Sequence, residues 1–60
     1  MQSNPHTELS PGIFVINSKR DDWGIGQIQS SIGDKITINF EHVGKKVINI
    51  KKINLKVIKI

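Results

Sequence analysis

Twelve isoleucines and four valines stand in this sequence against two leucines, one methionine and no alanine. Branching at Cβ stiffens χ1, which penalises helices and suits the pleated, half-buried surface of a sheet. That imbalance predicts an all-β fold before any residue is placed. Periodicity agrees where it is clearest. Lys35-Ile36-Thr37-Ile38-Asn39-Phe40-Glu41 alternates polar and apolar without error, which turns Ile36, Ile38 and Phe40 inward.

The other strands follow from runs and punctuation. Ile13-Phe14-Val15-Ile16 is a short apolar run between Pro11-Gly12 and Asn17-Ser18. Its pattern does not say which pair points inward. Asn17 to Trp23 reads as a polar loop. In the strand after it, Gly26, Ile28, Ser30 and Ile32 share one face, while Ile25, Gln27, Gln29 and Ser31 share the other. Gly33-Asp34 suits a two-residue type II′ hairpin, with glycine first. His42-Val43-Gly44 turns the chain into Lys45–Ile50, Gly44 supplying a positive φ at no steric cost. Lys51 to Asn54 reads as a 3₁₀ turn, and Leu55 to Ile58 as a last strand.

Five short strands leave few architectures. A flat sheet exposes an apolar face and two edges, whereas a small barrel hides both. The expected fold is a five-stranded SH3-like (Tudor-like) barrel over residues 11–60, preceded by a flexible polar tail over 1–10. Val15, Ile28, Ile36, Ile38, Phe40, Ile48, Ile53 and Leu55 are its expected core.

Length and composition narrow the function. A chain of 60 residues buries only about 60% of the surface its unfolded form exposes, so stability is marginal. It has no cysteine, which removes disulfides and thiolate metal sites and fits a reducing cytoplasm. No apolar run approaches the roughly 18–20 residues that span a bilayer, and the start lacks the basic and apolar regions of a signal peptide. A soluble cytoplasmic protein is expected. Catalysis is not. General acid–base work needs a titratable group in a water-excluding cleft, and a barrel this small fills its interior with its own side chains. His6 and His42 show no metal-ligand spacing, His42 reads as a solvated turn residue, and no cofactor is expected.

Two features remain. Trp23-Gly24-Ile25-Gly26 holds the single tryptophan beside two glycines. No helix follows to make a phosphate loop. Trp23 either caps one end of the barrel over a bent strand or serves as an exposed binding anchor. With Phe14 and Phe40 the only other rings, neither an aromatic cage for methyl-lysine nor a stacking platform for single strands is expected. The charge is uneven: residues 1–30 carry a net −1 and residues 31–60 a net +5, within a total of +4. Those lysines make either a solvated, edge-guarding surface or a patch for phosphates or an acidic protein.

The candidate binding surface is therefore Trp23, Gly24, Gly26, Gln27, Lys45, Lys46, Lys51, Lys52 and Lys56. The expected function is a non-catalytic protein-binding adaptor, docking through a strand edge or the surface around Trp23. The alternative is a nucleic-acid-binding domain without sequence preference that uses the lysine-rich face. A third possibility is an inert structural or regulatory protein. A monomer is favoured.

The residues also carry a resemblance. Val15, Asp22-Trp23-Gly24-x-Gly26-Gln27-Ile28-Gln29-Ser30, Gly33-Asp34-Lys35 and Asn39-Phe40-Glu41-His42-x-Gly44-Lys45-Lys46 resemble a family of short bacterial domains of unknown function, from about Gly12 to Ile58. More distantly, the chain is similar to the C-terminal Tudor-like domain of UvrD/PcrA-type repair helicases. The shared frame is Trp23-Gly24-x-Gly26-x-Ile28 (a Phe-Gly-x-Gly pattern there), Gly44-x-Lys46-x-Ile48 and Ile53-x-Leu55. CarD-type RNA polymerase-interacting domains show a comparable Gly-x-Gly strand. These resemblances imply a Tudor-like barrel and, by analogy of fold, a partner in RNA polymerase or the DNA-repair machinery.

Overall fold

Gly33 settles the central hairpin. Its φ is +58°, and no non-glycine residue has positive φ among the described residues. Asp34 therefore cannot complete a type I′ turn, and the glycine-first type II′ geometry holds. The turn joins β2 (Gly26–Ile32) to β3 (Lys35–Phe40), paired antiparallel from Ile32↔Lys35 to Gly26↔Phe40. Glu41 to Val43 then turn the chain into β4 (Gly44–Asn49), with Gly44 at φ +78°. The computed structural model describes residues 9–59.

β1 (Phe14–Asn17) pairs with β2 on one side and with β5 (Leu55–Ile58) on the other. The result is one antiparallel sheet of five strands in the order β4-β3-β2-β1-β5, with no α-helix among the described residues. Val15, Ile28, Ile36, Ile38 and Phe40 are buried, and Ile48 of β4 and Leu55 and Val57 of β5 pack against the same cluster. Strands at opposite ends of the order share one core only if the sheet rolls up. The all-β, barrel-like architecture is thus the one expected. It is not sealed. β4 and β5 end the strand order, so two edges remain open where a closed barrel hides them.

The burial pattern answers what the sequence left open in β1: Val15 and Asn17 face inward, while Phe14 and Ile16 face out. Elsewhere it corrects the reading. The register of β2 against β3 shifts between Ile28 and Ser30, a bulge that reverses which side chains face in. Ser31 therefore lies opposite Ile36, and Ile32, which alternation put on the same face as Ile28, is 76% exposed. No 3₁₀ turn forms at Lys51–Asn54. There the chain makes a simple turn in which Lys52 N donates to Asn49 O at 3.0 Å, and the 3₁₀ turn lies at Asp21–Trp23. Ile53 is half-exposed, and Ile50, Val57, Ile13 and Trp23 join the packing around the core.

Most of the tail expected over 1–10 lies outside the described residues. Leu9, however, packs against the core cluster. Leu9→Ala should lower stability by roughly 1–2 kcal/mol, the transfer term for a partly buried leucine. Thermal unfolding checks this, and an unchanged melting temperature would show the contact to be idle.

Candidate functional site

The chain leaves β1 through a buried asparagine. Asn17 accepts from Lys19 N through Oδ1 and from Arg20 N through its carbonyl, each at 3.0 Å. The first of these gives a partner to the side chain of a residue only 3% exposed, and together they aim the next residues into the 3₁₀ turn Asp21–Trp23. That turn closes with Trp23 N donating to Arg20 O at 3.0 Å and Gly24 N to Asp21 O at 3.1 Å.

Three hydrogen bonds then clamp this loop to the β3–β4 turn. His42 N donates to Trp23 O at 3.0 Å, and Glu41 N to Ile25 O at 2.9 Å. Ile25 N donates in return to Glu41 Oε1 at 2.9 Å. Gly24 is required at the contact. Its φ is +81°, and a Cβ there would lie 2.6 Å from His42 Cδ2. Two stretches that are far apart in the sequence, Trp23–Gly26 and Phe40–Lys46, therefore form one end of the barrel.

Trp23 caps the core at this end and keeps part of its ring exposed. Its ring meets Phe40 edge-on, with centroids 5.1 Å apart and planes at 66°, so it closes the core at that end. It also stays half-exposed, with the Arg20 guanidinium and Lys46 Nζ each 5.3 Å from its ring centroid, within cation–π range. The two cations differ. Arg20 forks onto Asp22, at 3.2 and 3.3 Å. That hydrogen bond is the main reason the Asp22 carboxyl is held below its ordinary value and the Arg20 guanidinium above its own. Lys46 has no carboxylate partner among the described residues. The site is a fixed aromatic face with one positive charge left uncompensated.

The remaining candidates do not gather there. Gly26 lies beneath the site on the inner face. Gln27 and Lys45 belong to an outward row that crosses the sheet as Ile58, Phe14, Gln27, Asn39 and Lys45. Lys51 pairs with Asp34 at 3.4 Å, Lys52 lies exposed in the β4–β5 turn, and Lys56 faces out from β5 opposite Ile16. The lysines thus occupy both faces and both edges rather than one plane. Sequence reasoning passed over Arg20 and Glu41. Only its proximity to Trp23, three residues away, could have drawn attention to Arg20; nothing in the sequence signals Glu41. No group of three metal-ligating side chains forms among the described residues.

Phe14, Gln27 and Asn39 of the outward row also floor an open groove of about 550 Å³, whose other lining residues include Ile25, Glu41 and His42. No described helix is long and apolar enough to cross a membrane.

A protein family described as "Protein of unknown function (DUF3553)" matches residues 9–58, and the chain belongs to it. No curated protein and no solved structure matches the chain.

Proposed function

We propose that this member of the family is a non-catalytic docking module that binds a protein through the Trp23 end of a Tudor-like barrel. One observation carries the reading: Trp23 is held by Phe40 and by the clamp to Glu41 and His42, yet keeps an exposed face beside an uncompensated Lys46. A rigid aromatic anchor loses little freedom on binding, and tryptophan is enriched among residues that dominate interface energy. The free charge favours a partner that is acidic around its contact. By resemblance to the helicase and CarD-type domains, the leading partner is RNA polymerase or the DNA-repair machinery of a bacterial cytoplasm. The scattered lysines weigh against the nucleic-acid alternative, because phosphate binding gains from charges that act together.

The test is a titration of labelled protein with RNA polymerase, duplex DNA and single-stranded DNA at two salt concentrations. Polymerase binding should persist at the higher salt. Trp23→Leu should weaken it by about 2 kcal/mol or more, with folding checked by circular dichroism. Lys46→Glu should mainly slow association. DNA binding that falls steeply with salt and survives Trp23→Leu would overturn the docking reading.

A further inference from the structure

The groove on the outer face has a chemistry of its own. Three neighbours in one cross-strand row, Phe14, Gln27 and Asn39, come from β1, β2 and β3, so their Cβ atoms stand about 5 Å apart. They offer, in order, an aromatic ring and two carboxamides. Asn39 has no side-chain hydrogen bond among the described residues, and Gln27 uses only Nε2, in a long bond to Gly12 O at 3.4 Å. Both carboxamide oxygens are therefore open acceptors. Above them lies Glu41. One of its oxygens accepts from Ile25 N, which fixes the carboxylate at the rim and leaves the other oxygen unused.

Charge separates the possible ligands. The chain as a whole is +4, but the only Asp, Glu, Lys or Arg lining this groove is Glu41. A phosphate or carboxylate ligand meets the Glu41 carboxylate among the lining residues, and the cation within its reach is Lys45, which stands beside Asn39 at the β4 end of the row. A cation finds an aromatic face, a carboxylate and two carbonyl-type acceptors. Among cations, a planar guanidinium with five forked donors stacks on a ring while reaching several oxygens, whereas an ammonium is a compact point charge that does not stack.

We infer that this groove receives an arginine side chain of the protein partner, with the guanidinium over Phe14, hydrogen-bonded to Gln27 and Asn39 and paired with Glu41. The inference rests on the docking reading, in that the arginine belongs to a protein. It adds to the Trp23 anchor a second, oppositely charged contact on the adjoining face. The partner surface would carry an acidic spot toward Lys46 and an arginine toward Glu41, a pairing that fixes orientation as well as affinity.

The probe is a blocked glycine–arginine–glycine peptide titrated into the full chain, with lysine and citrulline versions and adenosine monophosphate as controls. Side-chain amide signals of Gln27 and Asn39 are followed by NMR. Arginine should shift them saturably and more tightly than any control. Glu41→Gln keeps an oxygen for Ile25 N while removing the charge, and should weaken binding about tenfold. Phe14→Leu should weaken it about threefold. Equal binding of the lysine or citrulline peptide, preference for the nucleotide, or shifts confined to the Trp23 loop would overturn the inference. Polymerase binding is measured in parallel. If it persists while the arginine peptide fails, the groove assignment falls alone; if it fails while the peptide binds, the choice of partner falls and the groove stands.

Discussion

Phe40→Ala should leave the protein largely unfolded. Truncating a buried phenylalanine costs about 3–5 kcal/mol, and a domain of this length holds only about 3–9 kcal/mol in all. Phe40 is 2% exposed and supports more than the core, because the Trp23 ring rests on it edge-on. Losing the phenyl group therefore removes both the packing inside and the floor of the binding end. Denaturant unfolding monitored by circular dichroism measures the effect. A variant that melts like the parent would mean that the core is not where Ile36, Ile38 and Phe40 place it.

Gly26→Ala should be nearly as damaging, for the opposite reason. In the inner row Gly26 lies directly across from Phe40. A Cβ added there would sit 2.5 Å from Ile38 Cγ2 and 2.7 Å from two atoms of the Phe40 ring. Both neighbours are buried and cannot move aside, so overpacking should cost about 1–3 kcal/mol or more. The backbone is not the obstacle, since Gly26 is absent from the positive-φ glycines. Gly44→Ala is the useful contrast. It meets nothing within 4 Å but sits at φ +78°, so its cost of about 1–2 kcal/mol is conformational. A smaller residue at position 40 should partly rescue Gly26→Ala and leave Gly44→Ala unrescued. Additive losses in the Gly26→Ala, Phe40→Leu double mutant would rule out the steric account.

Strand content and the central hairpin were legible because their signals are local. Alternation from Lys35 to Glu41 and a glycine at the first turn position each act within a few residues. The bulge after Ile28 was not legible. Gln29, Ser30 and Ser31 are all polar, so no apolar residue marks where the face reverses, and counting by twos put Ile32 on the face of Ile28. The 3₁₀ turn at Asp21–Trp23 depends on bonds to Asn17 and on the clamp to the β3–β4 turn, and neither is visible in a window around it. Trp23 was found because a lone tryptophan beside glycines is conspicuous. Its setting was not, since Arg20, Lys46 and Phe40 reach it from three segments. The groove is the extreme case. Phe14, Gln27 and Asn39 become neighbours only through strand register, which sequence periodicity does not supply.

The edge-on contact of Trp23 with Phe40 makes the molecule its own optical probe. With one tryptophan and no tyrosine, essentially all near-ultraviolet emission comes from a ring that touches both the core and the exposed end. Unfolding strips away the phenyl group and surrounds the indole with water, which moves the emission to longer wavelength. A partner that covers the ring's outer face removes water from a folded protein and moves it the other way. Heating and titration therefore pull the same signal in opposite directions. A ligand that shifts the emission to shorter wavelength should also delay the thermal red shift, because binding only the native state raises its stability. Unlabelled protein in a fluorimeter is enough to see both.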